Sequence, residues 1–130
     1  MITLRIPDTV FGSNHTTILQ ELDHLPMAGE LGRLFECAKA ARSDKSEGDK
    51  LEQALEAEEL AARSPVGWER HVFAATAGLL KACFHHDRRE FSVARTCLRN
   101  AWSEAVQAMR IHIHESQCAW FATFTPTLPT

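Results

Sequence analysis

Apolar and polar positions alternate along this chain in a way that divides it into helical stretches separated by turn signals. The pattern is densest from Trp68 to Ile113. Trp68, Val72, Phe73, Thr76, Leu79, Leu80, Cys83 and Phe84 recur mainly at intervals of three and four, which lays them along one broad face of a helix. Phe91, Ala94, Leu98, Trp102, Ala105, Met109 and Ile113 repeat the spacing and fall within roughly 100° of arc. His85-His86-Asp87 interrupts the pattern, and Asp87 suits the N-cap of a second helix. The two stripes are out of register, so the pattern predicts two antiparallel helices, about 68–86 and 88–113, joined by a short link.

Upstream, Ile2, Leu4 and Ile6 alternate with Thr3 and Arg5 until Pro7, which predicts a short strand or an extended arm over residues 1–9. Val10 and Phe11 precede a Gly-Ser-Asn turn. Ile18, Leu19, Leu22 and Leu25 then share a face of a helix from about Thr16 to Leu25. A second helix, about 27–42, carries Leu31, Leu34, Phe35 and Ala38, and is weakened by Gly29 and Gly32. Residues 43–48 read as a flexible linker. Asp49 and Glu52 offer a capping box for a helix over about 49–64. Its expected buried side is Leu51, Ala54, Leu55, Ala61 and Ala62, with Leu60 pointing outward and Glu52, Glu56 and Glu59 forming an acidic edge. Beyond Ile113 come the aromatics Trp120, Phe121 and Phe124, then a Pro-containing tail, 125–130, expected to be mobile. Together these elements predict an all-α fold. It is a bundle of four to five helices built on a long antiparallel hairpin, with a short extended N-terminal arm, in a single domain over 1–130.

Charge alters this picture at one place. The formal net charge is −3, which disfavours general nucleic-acid affinity. Yet Arg88, Arg95, Arg99 and Arg110 lie to one side of the second stripe, roughly 40–100° round from Phe91. Such a ridge covers a core edge with its aliphatic stems, and its guanidinium forks suit carboxylates or phosphates. An acidic edge on one helix and an arginine edge on another can pair within the chain or between two copies. The aromatic trio either completes the core or anchors a partner.

Catalytic and metal chemistry find little support. Seven histidines include the pairs His85-His86 and His112-x-His114, but 26 residues of helix separate them, roughly 40 Å. One ion needs its ligands within about 2.3 Å, so no single copy brings both pairs together. Cys37, Cys83, Cys97 and Cys118 form no C-x-x-C and read as small, reduced, buried hydrophobes. There is no glycine-rich phosphate loop, no G-x-S-x-G and no H-E-x-x-H. No cofactor or metal is therefore expected. No run of about 18 apolar residues, and no charged leader before an apolar run, is seen, so a cytoplasmic chain is expected.

Phe91-x2-Ala94-x3-Leu98-x2-Ala101 resembles the second helix of a tetratricopeptide-type repeat, and Leu31-Gly32-x2-Phe35 is similar to the first. The fragments belong to different hairpins, no period near about 34 residues links them, and Arg89 stands where the repeat has a glycine. The resemblance implies helix stacking only. The sequence reading is a non-enzymatic protein–protein interaction module, adaptor, regulator or chaperone-like, that self-associates. Arg88, Arg95, Arg99, Arg110, Trp120, Phe121 and Phe124 are its expected contact residues. The alternative is a regulatory protein touching nucleic acid through the arginines, with a metal-dependent enzyme behind it.

Overall fold

The computed structural model describes residues 11–41 and 47–124, with side chains over 15–41 and 48–117. It is a five-helix all-α bundle: α1 (Phe11–Leu22), α2 (Gly29–Ala40), α3 (Glu47–Arg63), α4 (Trp68–Asp87) and α5 (Phe91–Phe124). The 1–9 arm, residues 43–46 of the expected linker and the 125–130 tail fall outside the described residues. α4 is the central rod, with α5, α3 and α2 packed on it, while α1 lies against α5. Val72, Leu79, Leu80 and Ala82 on α4 are fully buried, as are Ile18, Leu22 and Leu34 from the surrounding helices.

The hairpin is present, and its boundaries differ from the sequence reading. α4 remains helical through His85, His86 and Asp87, so the turn is Arg88-Arg89-Glu90. Asp87 is therefore the last residue of α4 and not a cap of α5. A carboxylate there opposes the helix dipole, and Lys50 at the start of α3 offsets it as a buried ion-pair partner. The Gly-Ser-Asn sequence expected to turn is helical within α1, and α3 begins two residues before Asp49. Gly29 opens α2 with φ of +61°, a conformation that suits glycine.

The seams also differ from the expected stripes. On α5 the buried positions are Ala94, Leu98, Ala101, Ala105 and Ala108, a repeat of four and three. That spacing is the 3.5-residue period of coiled-coil packing. Trp102 and Met109 are half-buried on the flank, and Phe91 and Ile113 are 50% and 42% exposed. The cause lies at Gly78 on α4, where a Cβ would sit 2.9 Å from Ala101 Cβ and 3.1 Å from the Cys97 carbonyl oxygen. Backbones this close leave room for methyl groups and exclude larger side chains. α3 behaves alike: Lys50, Ala54, Ala57 and Ala61 are buried. Leu55, expected inside, is 53% exposed, Ala62 is exposed, and Leu60, expected outside, packs against the core.

Candidate functional site

Each histidine contact described along the hairpin ties the molecule together. His71 Nδ1 lies 2.6 Å from Glu104, joining α4 to α5. His85 Nδ1 lies 3.0 Å from Glu90. His86 meets the Phe91 ring edge at 5.2 Å, and His112 meets Trp68 at 5.5 Å. His71 is thus a cross-helix link. Among the described residues no group of three or more His, Cys, Asp or Glu could hold a metal ion.

A cleft of about 470 Å³ opens at the end of the bundle where α2 and α4 begin, walled by Leu31, Trp68 and Phe73 and edged by Glu30, Glu69 and Glu115. A second cleft, about 400 Å³, lies between α3, α4 and α5, with an Ala61, Ala74, Ala77 and Gly78 floor beneath Lys81, Cys97 and Asn100. Lys81 there meets Glu58 at 2.7 Å, and Glu104 lies in hydrogen-bond contact with His71. Burial pushes the Cys97 thiol above its ordinary value, with Glu58 pushing the same way. The thiol is therefore kept protonated, which is the opposite of an activated nucleophile.

The charged surfaces are more informative. On α3, Glu56 pairs with Arg33 of α2 at 2.5 Å, Glu58 with Lys81, and Glu59 with Arg63. The acidic edge is thus largely neutralised within the chain, and its partners are not the arginine ridge. Arg33 is held far above its ordinary value by hydrogen bonds to Glu30 and Glu56.

The ridge itself divides in two. Arg95, Arg99 and Arg110 are exposed on α5. Their positions lie about 100–160° from the Ala94 seam, on the outward face. Arg99 and Arg110 stand roughly 16 Å apart along the axis. Arg88 is not on α5; it is the C-cap of α4, with its guanidinium 5.4 Å from the Phe84 ring and its Nε 3.1 Å from Glu90. Arg95 and Arg110 make no ion pair or side-chain hydrogen bond among the described residues. Trp120, Phe121 and Phe124 lie within the last turns of α5, which run past the expected end at Ile113, and their side chains lie outside the described residues.

The sequence reading passed over Arg89. The turn donates Glu90 N–H to the His85 carbonyl at 2.9 Å and Arg89 N–H to the His86 carbonyl at 3.0 Å. These two bonds make a Schellman closure, with Arg89 as the left-handed residue at φ 61°. Arg89 is exposed and makes no side-chain hydrogen bond or ion pair among the described residues. The signal was the missing glycine at that position. The molecule is thus a small helical bundle in which Arg89 and Arg95, without ion-pair partners among the described residues, stand at the turn end of the hairpin, while Arg110 stands far along α5. No family model, curated protein or solved structure matches the chain.

Proposed function

We propose that this chain is a non-enzymatic interaction module, an adaptor or regulator, that docks on another protein through the outward face of α5. One observation carries the reading. Glu56, Glu58 and Glu59 of α3 are matched inside the chain, while Arg95 and Arg110 stand on α5 without partners among the described residues, beside the exposed Phe91 and Ile113. Aromatic and arginine side chains are the types that dominate interface energetics. A second copy remains among the candidate partners. Pairing of the ridge with the α3 acidic edge is not its basis, because Glu56 and Glu59 of that edge already have partners within the chain.

No helix among the described residues is long and apolar enough to cross a membrane. The overall charge of −3 and the gap between Arg99 and Arg110 favour a protein partner over nucleic acid. A photo-crosslinking amino acid at Ile113, compared with one at the exposed Glu36 on α2, tests the reading in cells that make the protein. Discrete adducts from position 113 and none from position 36 are expected. Adducts at multiples of the chain mass identify self-association. Absence of adducts from either position, or equal yields from both, overturns it.

A further inference from the structure

We propose that the turn end of the hairpin, formed by Arg88, Arg89, Phe91 and Arg95, is the docking site for an acidic peptide segment that carries an aromatic or aliphatic side chain among its carboxylates. The inference rests on the interaction reading above and deepens it by assigning a place and a partner chemistry.

Two independent features lead there. Arg89 occupies a left-handed backbone position, φ 61°, that L side chains adopt rarely and glycine adopts freely. A side chain kept there strains the turn, and nothing inside the described chain repays it, since the Arg89 guanidinium has no partner among those residues. A contact with a partner would give that side chain a use. Strained residues of this kind gather at ligand contacts. The second feature is composition. Phe91 is 50% exposed, and Arg95 follows it by one turn on the same side of α5. Arg88 is steadied beside them by the Phe84 ring. A half-exposed aromatic flanked by guanidinium forks fits an apolar side chain with carboxylates on either side.

Carboxylates fit better than a phosphate backbone for three reasons. Glu90 and Asp87, each already paired with a basic side chain of the chain, break the basic surface into separate guanidinium groups, which suits discrete carboxylates rather than a continuous polyanion. The chain is net acidic. The next arginine outside the cluster along α5 after Arg99 is Arg110, roughly 16 Å further on, so the basic surface is short.

The test uses the full chain and a fluorescent synthetic peptide in which glutamate pairs alternate with tryptophan. Its twin has glutamine for every glutamate. Binding by anisotropy at low and physiological ionic strength is expected for the first peptide and not the second, and it weakens with salt. Arg89→Gly separates the proposed role from a structural one. It relieves the turn, so the melting temperature rises by a few degrees, while affinity falls about tenfold. Arg95→Ala lowers affinity similarly. Arg70→Ala, near the opposite end of α4, leaves it unchanged.

Equal losses from Arg70→Ala, an unchanged affinity in Arg89→Gly, or displacement of the peptide by an equally charged oligothymidylate at matched concentration overturns the assignment. No binding of the acidic peptide alongside persistent crosslinks from position 113 removes the turn-end site and leaves the module reading. Loss of both removes both.

Discussion

Gly78→Ala tests the packing argument most directly. An alanine in a helix interior is favoured over glycine by about 1 kcal/mol from backbone entropy alone. At Gly78 the added Cβ would lie 2.9 Å from Ala101 Cβ, 3.1 Å from the Cys97 carbonyl oxygen and 3.2 Å from Ala101 Cα. Carbon atoms rest near 3.5–4.0 Å, so α4 and α5 must separate by roughly 0.6 Å or more at their crossing. Two of those three atoms belong to the backbone and cannot rotate away. Overpacking of this kind costs about 1–3 kcal/mol, and it exceeds the propensity gain. The variant should lose about 1–2 kcal/mol. Gly32→Ala is the internal control. There the nearest atoms are 3.7 Å away, so only the propensity gain acts, and stability should rise by about 0.5–1 kcal/mol. Urea denaturation followed by circular dichroism, with m-values compared, reads both. A Gly78→Ala protein as stable as the parent, or stabilised by as much as Gly32→Ala, would refute the close approach of the hairpin arms.

Lys50→Met should cost about 1–2 kcal/mol, because the removed ammonium leaves the Asp87 carboxylate facing the C-terminal carbonyls of α4; Asp87 is 38% exposed, and water moderates the loss. The same denaturation assay checks it, and addition of Asp87→Asn should recover part of the loss. Thr76→Val should stabilise by about 0.5–1 kcal/mol, since the Thr76 hydroxyl is fully buried with no hydrogen-bond partner among the described residues; calorimetry showing a lower melting temperature would contradict this. A hydrogen bond from His85, aided by Arg88, holds Glu90 below its ordinary carboxylate value. A depressed folded value contributes stability that is present above the unfolded value, near about 4.3, and lost as pH falls through the folded one. Glu90→Gln should therefore flatten the stability profile below about pH 5 and leave its neutral limb parallel to that of the parent.

The existence and order of the helices were legible because three- and four-residue spacing is a local property of the chain. Trp68 as the start of α4 was placed correctly for that reason. What escaped were features set by distant residues. Hydropathy ranked Leu55, Phe91 and Ile113 as buried. Yet on α5 the close approach at Gly78 selects by volume, so Ala101 and Ala108 took the interior, while on α3 Ala54, Ala57 and Ala61 did. Asp87 looked like a cap because its partner, Lys50, stands 37 residues away in sequence. The α3 acidic edge was visible, but the cations that neutralise it sit on other elements, apart from Arg63. Of the arginine ridge, the positions on α5 were readable from helical phase. The left-handed turn that sets Arg89 forward was hinted at only by the absence of an expected glycine.

A contact surface made of methyl groups has shallow relief. Interlocking leucines would key one rod to the other, but on the α5 seam Leu98 stands alone among Ala94, Ala101, Ala105 and Ala108, which offer little resistance to sliding along the axis. The setting of α5 against α4 therefore falls to Leu98 and a few polar and aromatic pins: the turn at one end, and His71 on Glu104 and Trp68 on His112 toward the other. Cutting the two latter pins together should leave both helices intact and free α5 to shift lengthwise, carrying everything mounted on its outer side with it.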